Sequence, residues 1–298
     1  MKPYISIVIA TYNRPDLLKK AVYSAVNFSK DKALEIIVVD DCSSTTIPDT
    51  VKGLATVIRL EKNSGPGPAR MKGIQASNSP YALILDDDDE LKPDHLDVAL
   101  SAIYTLNENW ISCQFSTDPK QLDRATIFDI HDYWNGNVKG DFTPIINSKN
   151  FLGEFEYPNT KIGAEHLLWW KIAQKPTGIP SFPITIVEVG NSATSRLTDT
   201  ESQIRKSEEH LAINLLALKE HAKEMQEKSP KTLLKTQLAV ITYALLSGRR
   251  KTASKMLFQK PTSAIKLALI PLFLLPQKAI IKTFTIYRRN QLLKEKNK

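Results

Sequence analysis

The first half of the chain alternates between two hydrophobic periods. "YISIVIA" (Tyr4–Ala10) and "LEIIVVD" (Leu34–Asp40) are short, β-branched and apolar on both faces, as central strands of a parallel sheet are. "YALIL" (Tyr81–Leu85) is another such strand, and "ATVIRL" a weaker one between them. "DLLKKAVYSAVNF" places Leu17, Leu18, Ala21, Val22 and Ala25 on one helical stripe, with Pro15 suited to the helix's first turn. "GPGPARMKGIQAS" reads as a Gly/Pro loop leading into a short helix, and Pro93 opens another helix over "PDHLDVALSAIYTLN". This alternation predicts an α/β fold, a mostly parallel sheet covered by helices.

Sheets of this kind bind ligands at the carboxyl ends of their strands. Three polar clusters fall there: Thr11–Tyr12–Asn13, Asp40–Asp41 and the four acids Asp86–Asp89. Farther on, "WISCQFS" reads as a strand and "DIHDYWNGNVKGDFTP" as a polar connection. "AEHLLWWKIAQ" has helical spacing, and "PITIVEVG" is strand-like before a Ser/Thr-rich stretch. From Thr200 onward the pattern is helical.

Charge divides the chain in two. From Ser229 to the end there are 15 Lys/Arg and a single acid, Glu295, for a net +14. The remainder has 25 Lys/Arg against 31 Asp/Glu, for −6. Two cysteines, Cys42 and Cys113, exclude a disulfide framework and suit a reducing, cytoplasmic setting. The N-terminus lacks a signal-peptide pattern, and no apolar run reaches the roughly 18 residues of a spanning helix.

Closely spaced carboxylates after a strand suit a hard divalent cation, Mg²⁺ or Mn²⁺, which takes oxygen ligands and leaves positions for phosphate oxygens. The competing reading of Asp86–Asp89 is an acidic loop complementing the dipole of the helix after Pro93. Thr11 and Asn13 could instead cap a helix, Asp40–Asp41 form a turn, and Arg70 lie on the surface.

In order, "SIVIATYNR", "EIIVVDDCSS", "NSGPGPARMKGI" and "LILDDDDELKPDHL" resemble the family-2 glycosyltransferases, inverting enzymes with the GT-A (Rossmann-like) fold. The resemblance is close over Pro3–Leu96 and weaker to Arg196. It implies that Thr11, Tyr12 and Asn13 line the nucleotide site, and that Asp40 or Asp41 bonds base or ribose. Arg70 would sit near the base and the acidic motif. Asp86 and Asp88 would be the acids of a DxD motif, Asp86 touching ribose and phosphate as well, and Asp88 the cation.

The family's catalytic base lies in a Glu-Asp pair opening a later helix; here the similar stretch has Glu165 followed by His166. Either is a candidate base, with Glu165 preferred because a carboxylate keeps the family's chemistry. A helix cap at Glu165 and a structural His166 are the alternative. Arg196 is the candidate phosphate contact in "NSATSRLTD", and Met71 stands where relatives often have Asn. Trp169 and Trp170 suit either an acceptor platform or the core.

The implied organisation is a GT-A domain over 1–198, with a nucleotide-sugar half (1–96) and an acceptor half (97–198), and a helical basic tail over 199–298. The implied activity is metal-dependent, inverting sugar transfer from a nucleoside-diphosphate sugar, UDP-sugars first. The expected acceptor is a glycan or lipid-linked glycan of bacterial surface-polysaccharide synthesis. Pro271 and Pro276 interrupt the tail, which suits an amphipathic segment on an anionic membrane surface. The expected location is therefore cytoplasmic, peripheral on the inner face of the cell membrane, with no nucleic-acid partner. The alternatives are a nucleotide-sugar-binding module with little turnover, a helical hairpin packed on the body, or a membrane- or nucleic-acid-binding protein acting through the tail.

Overall fold

The computed structural model describes residues 3–29, 32–190, 200–260 and 263–296, with side chains to residue 290. It contains two compact units, Met1–Ala193 and Thr194–Lys298. The first begins β1 (Ile5–Thr11), α1 (Pro15–Val26), β2 (Leu34–Asp40), α2 (Asp49–Lys52), β3 (Thr56–Arg59), α3 (Pro66–Ala76), β4 (Tyr81–Asp86), β5 (Glu90–Leu91) and α4 (Leu96–Ile103). It continues β6 (Ser112–Ser116), β7 (Thr126–Phe128), α5 (Ile130–Asn135), β8 (Phe142–Asn147), α6 (Ser148–Phe151), α7 (His166–Ala173), β9 (Ile179–Phe182) and β10 (Val187–Glu188).

Eight strands form one sheet in the order β3-β2-β1-β4-β8-β6-β9-β7, and β5 pairs with β10 in a small second sheet. The β3-β2-β1-β4 half is parallel throughout, so the carboxyl ends of β1, β2 and β4 lie at one edge. Alternate residues serve the two faces. Ile5, Ile7 and Ile9 pack with Leu18, Ala21, Val22 and Ala25 of α1. Ile37 and Val39 pack with Ala69 of α3 on the other face.

The Gly-Pro stretch owes its composition to close approach. A Cβ on Gly73 would lie 2.2 Å from Val8 Cγ1, one on Gly67 2.5 Å from the Pro158 carbonyl oxygen, and one on Gly65 2.3 Å from that of Thr160. Gly73 therefore lets α3 lie on β1, while Gly65 and Gly67 let the 157–161 loop cross the start of α3. The helix begins at Pro66, earlier than the loop reading of "GPGP" implied, because Pro66 fits the first helical turn.

The second half of the sheet departs from the sequence reading. "DIHDYWNGNVKGDFTP" holds α5, and β8 starts at its end. Asp129 accepts from the backbone N–H of His131 and Asp132 as a capping box. β8 runs antiparallel to both β4 and β6, joining the two halves, and includes Pro144 despite the donor that proline lacks. The strand-like "PITIVEVG" reduces to the two-residue β10, and the preceding "IPSF" forms β9.

The second unit contains α8 (Thr200–Arg205), α9 (Ser207–Lys228), α10 (Pro230–Leu246), α11 (Arg250–Phe258), α12 (Ala264–Leu267), a 3₁₀ turn (Ile270–Leu274) and α13 (Gln277–Lys296). α10 packs against α9, α11 and α13. It buries Leu233, Val240, Ile241, Ala244 and Leu245, and His210 stacks on Tyr243 at 4.6 Å. Among the described residues, no helix is long and apolar enough to cross a membrane.

Candidate active site

The strand-end clusters do meet at one edge, and the structure divides them into inward-facing and outward-facing groups. Thr11 ends β1 and is buried; its hydroxyl donates to Asp87 Oδ2 at 2.8 Å. Asp87 also accepts from Arg14 at 3.0 Å, and the same guanidinium nitrogen lies 3.5 Å from Asp88. Burial pushes the Asp87 carboxyl up, while Thr11 and Arg14 pull it down. Asp86 ends β4 and is exposed, whereas Asp88 lies in the turn beyond the strand, partly buried beside the Arg14 guanidinium.

Asn13 has a left-handed backbone (φ +55°). Its amide oxygen accepts from the Ser44 N–H at 2.7 Å, and its own N–H donates to Ser43 Oγ at 2.8 Å. Fully buried Asp40 accepts from the Ser43 N–H at 2.9 Å and from Arg59 at 2.7 Å. Asp41 accepts from the backbone N–H groups of Ser64 at 2.7 Å and Gly65 at 2.8 Å, which fixes the entry to α3. These side chains shape the loops, whereas Tyr12 stands open at 46% exposure.

Arg70 joins the two halves of the unit. Its guanidinium donates to Asp86 at 2.5 Å and to Glu165, and lies over the Tyr157 ring at 5.9 Å. Burial works against its charge, but Asp86 and Glu165 outweigh that and hold it protonated. Glu165 stands at the start of α7 and makes no capping bond; its carboxylate turns back to Arg70 instead. Gly163 and Ala164 both have positive φ (+85° and +65°) and produce that turn. A non-glycine residue there is strained by roughly 1 kcal/mol, and such strain concentrates at functional sites.

His166 points elsewhere. Its ring meets Trp170 edge-on at 5.2 Å, and Trp170 meets Trp134 at 5.9 Å. Part of the imidazole surface reaches solvent, but crowding by protein lowers its pKa, with Glu165 acting the other way. Trp169 packs against Tyr157 at 6.0 Å, so both tryptophans are partly buried in aromatic clusters. Arg196 lies outside the described residues.

The acidic turn carries excess negative charge. Burial, then the neighbouring Asp86, Asp88 and Asp141 charges, push Asp89 up to about 6, although the Gly190 N–H donates to it at 3.0 Å. Gly190 is needed at that contact, since a Cβ there would lie 1.6 Å from the Asp88 carbonyl oxygen. Among the described residues no three His, Cys, Asp or Glu side chains converge as a ready-made cation cage. The donor types nevertheless suit Mg²⁺ or Mn²⁺: the carboxylates of Asp86 and Asp88, each beside an arginine, with the remaining positions left to water and phosphate oxygens. Arg59, Tyr157 and the Gly163–Ala164 turn are neighbours of the site that no sequence pattern marked, and Arg14, inside "SIVIATYNR", carried no role there.

A half-parallel sheet with an acidic turn at its carboxyl edge and an Arg-held carboxylate across from it is a GT-A-like α/β arrangement. The chain matches the model of glycosyl transferase family 2 over residues 6–152, just under half of its length. It is 37% identical over 98 residues to the succinoglycan biosynthesis protein ExoO of Rhizobium meliloti, covering 32% of this chain and 28% of that protein. Identity to the putative teichuronic acid biosynthesis glycosyltransferase TuaG of Bacillus subtilis is 27%, over 58% and 73% of the two chains. The GalNAc(5)-diNAcBac-PP-undecaprenol beta-1,3-glucosyltransferase of Campylobacter jejuni is 24% identical over 94% of this chain and 96% of that one. The chain thus spans under a third of ExoO and nearly all of the Campylobacter protein. Among solved structures, Staphylococcus aureus TarS 1-349 in complex with UDP-GlcNAc shares the fold, with a TM-score of 0.56, 16% identity and coverage of 85% and 88%.

Proposed function

We propose that the chain is an inverting transferase that moves a sugar from a nucleoside-diphosphate donor, a UDP-sugar first, to an acceptor hydroxyl. The observation that carries this reading is the fork of Arg70 between Asp86 at the end of β4 and Glu165 at the start of α7. It sets an acidic donor-side residue and a candidate base on opposite sides of one guanidinium. Tyr12, exposed beside this edge, offers a face to the base of the nucleotide.

In this reading Glu165 accepts the proton of the acceptor hydroxyl as the hydroxyl oxygen attacks the anomeric carbon. The bond from that carbon to the diphosphate breaks, and its electron pair leaves with the diphosphate. Asp86 and Asp88 would hold Mg²⁺ or Mn²⁺, which when bound supplies neutralisation of the departing charge. Arg70 keeps Glu165 oriented, while Thr11 and Arg14 hold Asp87 at the base of the acidic turn. Glu165 is favoured over His166 because it alone of the two meets Arg70.

The similarity to a glucosyltransferase whose name specifies a PP-undecaprenol substrate supports a lipid-linked glycan acceptor and a role in surface-polysaccharide synthesis. The net charge of +14 from Ser229 onward supports work at the inner, anionic face of the cell membrane. A panel of nucleoside-diphosphate sugars is expected to raise the unfolding temperature only with Mn²⁺ or Mg²⁺ present, with a maximum for the true donor. Asp88→Ala should remove the cation-dependent part. Stabilisation by none of the panel, with or without cation, would remove the donor assignment.

A further inference from the structure

Residues Ala264–Pro276 invert the usual relation of side chain to solvent. The segment "AIKLALIPLFLLP" comprises α12, the 3₁₀ turn and their flanks, and contains one charged residue, Lys266. Lys266 is 0% exposed, whereas Leu274 is 87% exposed, Ile265 57%, Leu267 47% and Ile270 43%. No residue of the 3₁₀ turn is buried. A surface adapted only to water would turn the lysine out and the leucines in.

Specific hydrogen bonds hold the inversion. Lys266 Nζ donates to the carbonyls of Gln259 at 2.8 Å and Met256 at 3.3 Å, and so satisfies acceptors at the end of α11. Arg250 donates to the carbonyls of Phe273 and Leu275, the latter at 2.5 Å. Gln277 donates to the carbonyls of Leu245 and Leu246, at 3.0 and 2.7 Å, at the end of α10. The polar side chains mount the segment on the helices, and Ile265, Leu267, Ile270 and Leu274 are left exposed. Lys255, Lys260, Lys278 and Lys282 are exposed on either side of it.

We infer that Ala264–Pro276 is an insertion surface that enters the headgroup–acyl boundary of an anionic bilayer, with the flanking lysines on lipid phosphates. This rests on the membrane-surface reading above and deepens it: the short mounted segment enters the lipid, and α13 does not have to. Charge complementarity identifies the occupant, since the apolar run is too short to span and is set in a region of net +14. A second copy of the chain, bearing the same positive charge, fits less well.

The test uses the full chain, sedimented with vesicles of phosphatidylglycerol in phosphatidylcholine and with pure phosphatidylcholine vesicles. Wild type is expected to bind the anionic vesicles, and the double variant Leu267→Ser/Leu274→Ser to bind them more weakly by about tenfold per leucine. Its unfolding temperature should change little, because Leu274 is 87% and Leu267 47% exposed. A Leu274→Trp variant should show added tryptophan fluorescence quenched by acyl-brominated lipid. Equal binding by wild type and the serine variant, without quenching of the introduced tryptophan, overturns the insertion surface and leaves the membrane reading standing. No binding of wild type to either vesicle overturns both, and a loss of self-association in the serine variant by light scattering would then give the segment to a second copy.

Discussion

Glu165→Gln is expected to reduce turnover by about 10³-fold, within the range ascribed to a positioned general base, while leaving donor binding nearly intact. The amide keeps the shape of the side chain and one acceptor for Arg70, but cannot take a proton from the acceptor hydroxyl. His166→Gln should cost only a few-fold, because the imidazole is directed at Trp170 and away from the Arg70 fork. Steady-state kinetics on both variants, with donor affinity measured separately, decide between the two residues. A large loss in His166→Gln alone would transfer the base assignment to the histidine.

Arg70→Met should produce the second-largest effect, and it should act on stability and turnover together. Without the guanidinium, Asp86 and Glu165 lose the positive charge that they share. Breaking a buried pair costs about 3–5 kcal/mol, and with Asp86 half in water about 2 kcal/mol is the better expectation here. Turnover should fall by about 10²-fold as Glu165 loses its orientation. Arg70→Lys retains the charge but not the fork, so it should recover most of the stability and little of the activity. Chemical denaturation and kinetics on the same preparations check this; full activity in Arg70→Lys would show that the charge alone matters.

What the sequence revealed of this site follows from periodicity. Strands that are apolar on both faces and followed by polar residues can be read directly, which is why Thr11–Asn13, Asp40–Asp41 and Asp86–Asp89 are legible as one edge. The period of two reaches only to Asp86, the last residue of β4, and Asp87–Asp89 lie beyond it. Periodicity could not say what those groups bond to. Thr11, Asn13, Asp40 and Asp41 are engaged with neighbouring loops, because a tight βα edge leaves backbone N–H groups that need acceptors.

Residues that act through tertiary contact left no local mark. Arg14 is one arginine in a polar turn, and only the fold brings it to Asp87. Strand β8 was hidden by Pro144 and by a polar lead-in, although its position between β4 and β6 gives it partners on both sides. The turn that directs Glu165 at Arg70 depends on Ala164 in a left-handed conformation, which alanine's propensity does not announce. In the tail, the apolar run was visible in the sequence, but the burial of Lys266 beneath it was not.

The most direct test of sugar transfer is release of nucleoside diphosphate by the wild-type chain from a panel of nucleoside-diphosphate sugars, with a divalent cation and undecaprenyl-diphosphate-linked glycans as acceptors. Acceptor-dependent release from one donor is expected, abolished by chelation and by Glu165→Gln. Tight donor binding with no release under any acceptor or cation would contradict it, and would leave a binding module in place of a transferase.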